Sequence, residues 1–246
     1  MSEKSKNEMP FLDHLGELRI RLLYIFIAVI ITSSISYLYA QELFDIFTKP
    51  YRGAFPDDIL IGTGPAEAFL LKLKSSITAG FILASPLIFI QIWIFIAPGL
   101  ESKEKLFAIP FILFSSLLFI GGIYFCYAAV LPFAFDFFKE QYTSIDLKPT
   151  IRISEYFALT VKSMLGFGLV FETPILAYFL GRLGIISSSG LINAGRYAIV
   201  IIFLISAMLT PPDVLTQFLM AGPLLILYGL SIIIVRFTEN KVNENN

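Results

Sequence analysis

The chain contains five long runs without a single charged residue: Leu22–Gln41 (20 residues), Ser75–Leu100 (26), Leu106–Phe135 (30), Tyr197–Pro212 (16) and Val214–Val235 (22). A hydrocarbon core about 30 Å thick takes about 20 apolar residues in helical form. Inside it only helices and closed barrels satisfy every backbone N–H and C=O. A sixth stretch, Tyr156–Gly181, is interrupted only by Lys162 and Glu172. The runs are too long for membrane strands. They predict an all-α integral membrane protein with six transmembrane helices, near 22–41, 70–97, 106–132, 156–181, 196–210 and 214–236. A cytoplasmic amphipathic segment, 1–21, precedes them, and the whole of 1–246 is one membrane domain. Of the 246 residues, 57% are apolar and 15% charged. Soluble domains carry about 45–50% and about 25%. Six spans of about 20 residues consume most of that apolar supply, which leaves no room for a sizeable extramembrane domain.

The same sequence excludes several function classes. A formal net charge of −1 provides no basic field for nucleic acid. Cys126 is the only cysteine and His14 the only histidine, which argues against a disulfide or a histidine-built metal centre. There is no Walker loop, no HExxH and no Ser–His pair. No aspartate falls inside a span, so intramembrane aspartyl proteolysis is out. Neither an enzyme nor a cofactor is expected. The first run is longer than the about 7–15 residues of a signal-peptide core, and no small-x-small site follows it.

An even number of spans puts both termini on one side. With the termini inside, the inner segments hold ten basic residues and the outer ones eight. The outer connections are rich in Asp57, Asp58, Asp136, Glu140 and Asp146. Both observations favour cytoplasmic termini. The chain also matches itself at an offset of 88: Glu67, Phe69, Leu71, Lys74, Ser75, Gly80 and Pro86 correspond to Glu155, Phe157, Leu159, Lys162, Ser163, Gly168 and Pro174. The second and fourth spans thus share a Glu-x-Phe start, a snorkelling lysine and an internal proline. They differ where the second has Ala84 and the fourth Glu172.

An ionisable residue inside a span is a functional-site hypothesis by default. Glu172 lies about 24 Å along the helix from Tyr156 and about 14 Å before Arg182. Three roles remain open: binding a coupling proton or ion, hydrogen bonding to a partner helix, or capping the carbonyl freed by Pro174. Before the first span, Phe11, Leu15, Leu18 and Leu22 recur at helical spacing. They describe an interfacial amphipathic helix that is either an anchor or a docking surface carrying Glu17. The inner connection Pro98-Gly99-Leu100-Glu101-Ser102-Lys103-Glu104-Lys105 begins with a turn signal. Leu209-Thr210-Pro211-Pro212-Asp213 is a tight outer turn, with Asp213 placed to cap the sixth span. Only 13 residues separate Arg196 from Thr210, about 20 Å of helix, short of a full hydrocarbon core.

His14-Leu15-Gly16-Glu17-Leu18-Arg19 with Arg21, Ser85-Pro86 with Gln91 and Trp93, and Phe95-Ile96-Ala97-Pro98-Gly99-Leu100 are the first part of a pattern. Phe167-Gly168 with Phe171-Glu172-x-Pro174, and Leu209-Thr210-Pro211-Pro212-Asp213 with Gln217, complete it. In this order, from about Phe11 to Phe237, the sequence resembles the TatC family, the polytopic core of the twin-arginine protein translocase. The resemblance implies a concave, glove-like six-helix fold in the inner (cytoplasmic) membrane with both termini cytoplasmic. It implies a receptor for Arg-Arg signal peptides of folded cargo that works with TatA, and TatB where present, and self-associates in the complex. On this resemblance Glu17 and Glu104 are the carboxylates that hold the signal arginines, with Arg19 and Phe95 at matching functional positions. Glu172 matches an intramembrane glutamate on the concave side. Thr210 and Gln217 are polar positions for partner docking. Pro50, Pro211, Pro212 and Asp213 are functional turn positions. The pattern departs at Gly229, where many members carry a glutamate. The alternative class is an ion-coupled secondary transporter built on the repeat and Glu172. It lacks paired mid-membrane charges and inverted-repeat halves.

Overall fold

The computed structural model of the chain describes residues 10–97, 108–209 and 214–243. They form helices α1 (Pro10–Tyr37), α2 (Ala40–Ala54), α3 (Glu67–Ile96), α4 (Ala108–Phe125), α5 (Leu131–Ser144), α6 (Ile153–Phe171), α7 (Thr173–Arg182), α8 (Ser188–Leu209) and α9 (Val214–Asn243). Six helical segments are long and apolar enough to cross a membrane: His14–Tyr37, Glu67–Ile96, Ala108–Ser144, Ile153–Arg182, Ser188–Leu209 and Val214–Glu239. Among the described residues the only extended pairing is a bridge between Ile61 and Arg152. The chain divides into two compact units, Met1–Leu43 with Lys72–Ser116, and Phe44–Leu71 with Leu117–Asn246.

In the first unit, α1 crosses α3 at small residues. A Cβ on Gly80 would stand 2.5 Å from the backbone of Ser33. The Thr32 hydroxyl donates to the Gly80 carbonyl at 2.8 Å. Close backbone approach through small residues and a shared hydroxyl is how helices associate in lipid, where apolar burial gives no drive. Most of the remaining α1 surface, including Leu23, Phe26, Ile30 and Ile31, is exposed and suits lipid contact. The helix stops at Tyr37, short of the end of the charge-free run at Gln41, and the chain restarts as α2.

Prolines act differently in the second unit depending on what absorbs their missing N–H. Before Pro132 the third span widens into a π turn, Cys126–Val130, with the Leu131 amide donating to the Cys126 carbonyl five residues back. That wider turn makes room for the proline ring and lets the helix run on to Ser144, past the charge-free run. In α2, Pro50 cannot bond the Ile46 carbonyl. The Tyr127 hydroxyl donates to it instead, at 3.0 Å. Tyr156 donates to the next carbonyl, Phe47, at 2.6 Å. Around this ledge Tyr51 packs on Phe55, Phe135 and Tyr156. Burial and the nearby Asp58 carboxylate push the Tyr51 phenol above its ordinary pKa.

The helix α8 is 22 residues long, about 33 Å. What is short is the apolar portion beyond Arg196. That arginine lies within the helix, bonded to and stacked over Tyr197. The α7–α8 connection is a Schellman turn. Gly184, at φ +68°, donates to the Gly181 carbonyl, and Ile185 donates to Leu180. The Ser188 amide and hydroxyl, at the start of α8, donate to the Glu239 carboxylate near the end of α9.

Candidate functional site

The α1–α3 end of the first unit carries a charged and aromatic cluster. Glu17 accepts from Arg21 at 3.0 Å, one helical turn along α1, and the same guanidinium reaches Gln91 of α3 at 3.4 Å. The Glu17 side chain is 29% exposed, so the pair is half-buried and its carboxylate remains reachable from water. The His14 ring stacks on Phe95, centroids 4.3 Å apart and planes 19° from parallel. Behind it the buried Trp93 packs on Phe111 at 5.1 Å. The cluster thus combines a carboxylate already holding a guanidinium, an exposed Arg19 and an imidazole–phenyl stack. It brings together Glu17 and Phe95, which the sequence resemblance singled out. Glu104 lies outside the described residues.

Beyond the positions to which the family resemblance gives a role, the cluster adds Arg21, Gln91 and His14. Glu17 and Arg21 stand at the i, i+4 ion-pair register, a local signal that the sequence carries but that the family pattern does not single out as a pair. Gln91 as a second partner and the His14 stack need the α1–α3 approach at Gly80, which no local pattern contains.

The second feature is Glu172, 6% exposed. It stands where one span breaks into α6 and α7, with φ −72° and ψ −16°. Pro174 removes the amide that would bond Val170, and the Thr173 hydroxyl donates to that carbonyl in its place. The segment is held by reciprocal glycines. A Cβ on Gly122 of α4 would meet the Phe167 carbonyl at 2.7 Å and Phe171 at 2.8 Å. One on Gly168 of α6 would meet Phe119 at 2.8 Å and Ile123 at 3.0 Å. Phe125 closes over Phe167 and Phe171. The matching proline of the internal repeat, Pro86, sits inside an unbroken α3, and Ala84 at the glutamate's position is fully buried.

The third feature is the α8–α9 hairpin. The Gln217 amide donates to the Phe203 carbonyl at 2.9 Å, and Phe203 meets Phe218 edge-on at 4.9 Å. The Ser163 hydroxyl of α6 donates to the Leu209 carbonyl at the end of α8. Thr210, Pro211, Pro212 and Asp213 lie outside the described residues. Pro50 sits on the tyrosine-bonded ledge of α2. A Cβ on Gly229 would meet nothing within 4 Å, so that position opens outward. Among the described residues no group of three or more His, Cys, Asp or Glu is placed to hold a metal ion.

These elements define a multi-pass helical membrane protein with a charged and aromatic cluster at one α1–α3 end and a buried glutamate at a broken span. The family model described as Sec-independent protein translocase protein (TatC) matches residues 13–223. The Sec-independent protein translocase protein TatC of Desulforapulum autotrophicum is 42% identical over 243 residues, covering 98% of this chain and 90% of the relative. That of Aquifex aeolicus is 40% identical, covering 96% and 98%. A crystal structure of the twin-arginine translocase receptor TatC superposes with a TM-score of 0.83 at 40% identity, covering 92% of this chain and 99% of that one. The chain belongs to the TatC family: it is a membrane-embedded protein translocase component, a receptor rather than an enzyme.

Proposed function

We propose that this chain is the signal-peptide receptor of a twin-arginine translocase in the inner membrane, with both termini cytoplasmic. Glu17 and Glu104 hold the paired arginines of folded cargo, with Arg19 and Phe95 bordering the site. The single observation that supports this most is the half-buried Glu17–Arg21 pair at 3.0 Å. A carboxylate that already accepts a guanidinium, and is still reachable from water, suits exchange with an incoming arginine. Guanidinium–carboxylate bonds are charge-assisted and directional, which favours Arg over Lys. The carboxylates belong on the cytoplasmic side, because the signal arginines have not crossed.

Recruitment of TatA, and TatB where present, follows from the spans. Glu172 is a buried hydrogen-bonding group at a helix break. The short apolar portion of α8 beyond Arg196 thins the membrane locally. Gln217, bonded to the Phe203 carbonyl across the α8–α9 hairpin, and Thr210, Pro211, Pro212 and Asp213 in the adjoining sequence are the positions assigned to partner docking and to the turn. Pro50 stiffens the α2 ledge. Self-association and lipid complete the assembly.

The test is crosslinking of an Arg-Arg signal peptide to the purified or membrane-embedded chain. Glu17→Ala and Glu104→Ala each abolish the crosslink while the protein stays folded. Undiminished crosslinking in both variants refutes the site. For Glu172, Gln preserves export better than Leu. Equal inactivity of the two would instead point to a titrating role.

A further inference from the structure

A cavity lies in the second unit, and Glu172 is not among the residues that line it. Its volume is about 550 Å³, and it opens between α5, the first half of α6 and the end of α8. Aromatic side chains wall one side: Phe135, Phe138 and Tyr142 from α5, with Tyr156 from α6. Leu159 and Met208 line it as well. Two oppositely charged residues of α6, Glu155 and Lys162, also line it, and both are exposed. Nothing in the receptor role uses them.

We infer that this cavity binds the headgroup of a zwitterionic aminophospholipid, of the phosphatidylethanolamine class. The argument is the order of charges along α6. The helix starts at Ile153 at the water-facing end of its span and runs inward to the break at Glu172. Glu155 is therefore the outer charge. Lys162 lies about 10 Å deeper at 1.5 Å per residue. A phospholipid headgroup has the same order, with its ammonium outermost and its phosphate nearer the acyl chains. Lys162 has a long stem and snorkels toward the interface, where it meets a phosphate. Glu155 meets the ammonium. The Arg152 guanidinium stands 3.8 Å from Glu155, too long to saturate a carboxylate with four acceptor positions. A volume of this size falls in the ordinary range for a small-ligand site. Leu159 and Met208 then give the apolar wall against which the headgroup's carbon backbone packs.

A primary ammonium fits better than a quaternary one, because Glu155 accepts its N–H donors. A headgroup without nitrogen leaves Glu155 facing a phosphate or hydroxyl. Predicted affinity therefore runs ethanolamine, then choline, then glycerol headgroups. The site is independent of signal-peptide binding, so failure of either assignment leaves the other standing.

The experiment is native mass spectrometry of the full chain in detergent, titrated with ethanolamine, choline and glycerol phospholipids of identical acyl chains. Wild type retains one phosphatidylethanolamine most tightly. Lys162→Gln weakens all three lipids about tenfold, the loss of one charge-assisted bond. Lys162→Arg keeps them. Glu155→Gln removes the preference for ethanolamine over glycerol headgroups. Melting of each lipid-free variant confirms that it is folded. Equal retention of all three lipids by wild type, as expected of ordinary annular lipid, overturns the inference. So does unchanged binding in the Glu155→Gln, Lys162→Gln double variant, or choline binding as tight as ethanolamine.

Discussion

Two adjacent glycines in α4 make opposite predictions. Gly122 faces α6, and a Cβ there would stand 2.7 Å from the Phe167 carbonyl oxygen and 2.8 Å from Phe171. Ordinary contact begins near 3.4 Å, so Gly122→Ala pushes α4 and α6 apart by several tenths of an ångström. The obstacle includes backbone, which cannot rotate away. Overpacking of this kind costs about 1–3 kcal/mol. Gly121 meets nothing within 4 Å. Its replacement by Ala removes the entropic penalty of glycine in a helix, a gain of about 0.5–1 kcal/mol. The two variants, one residue apart, therefore differ by roughly 1.5–4 kcal/mol. At about 2–4 °C per kcal/mol for a chain near this size, their melting temperatures separate by roughly 3–16 °C. The assay is thermal unfolding of each full chain in detergent. Gly122→Ala also disturbs the segment that ends at Glu172, so its export activity falls while that of Gly121→Ala does not. A Gly122→Ala variant melting at or above wild type refutes the packing argument.

Three further predictions follow from the proline sites and the α8 cap. Thr173→Val deprives the Val170 carbonyl of its donor and costs about 0.6–1.7 kcal/mol in detergent melts, the range for hydrogen bonds in membrane proteins. Tyr127→Phe costs about 0.5–1.5 kcal/mol by leaving the Ile46 carbonyl unbonded. In a Pro50→Ala background the cost shrinks, because residue 50 regains an amide for that carbonyl; equal costs in both backgrounds would rule out the ledge. Glu239→Ala removes the α8 cap and lowers stability by about 0.5–2 kcal/mol, and Ser188→Ala in that background adds little.

The six spans were legible because the hydrocarbon core imposes a length that charge-free runs satisfy or fail. Their ends were less so. The third span continues past Asp136 because a π turn accommodates Pro132, and the first stops at Tyr37 although apolar residues continue. Two prolines at matching repeat positions behave differently, Pro86 inside an unbroken helix and Pro174 after a break. The sequence alone does not separate them, since the difference lies in what packs against each. At the candidate site, Glu17 and Phe95 were visible through a family pattern, whereas the Glu17–Arg21 pair, although at i, i+4 spacing, was recognised only in the structure. Gln91, the His14 stack, and the glycine contacts that hold the Glu172 segment depend on helix crossings between residues far apart in the chain. The three roles open to Glu172 are not separated by the sequence, and the Thr173 hydroxyl bonded to the carbonyl freed by Pro174 was not among the residues it singled out.

The central claim is that Glu17 reads an arginine of the signal. The most direct measurement is the affinity of the purified chain for an Arg-Arg signal peptide and its Lys-Lys counterpart, in wild type and in Glu17→Ala. The account predicts that wild type prefers Arg-Arg by about tenfold or more, the difference one bidentate charge-assisted contact makes, and that Glu17→Ala loses most of that preference. An undiminished Arg-over-Lys ratio in Glu17→Ala would contradict it.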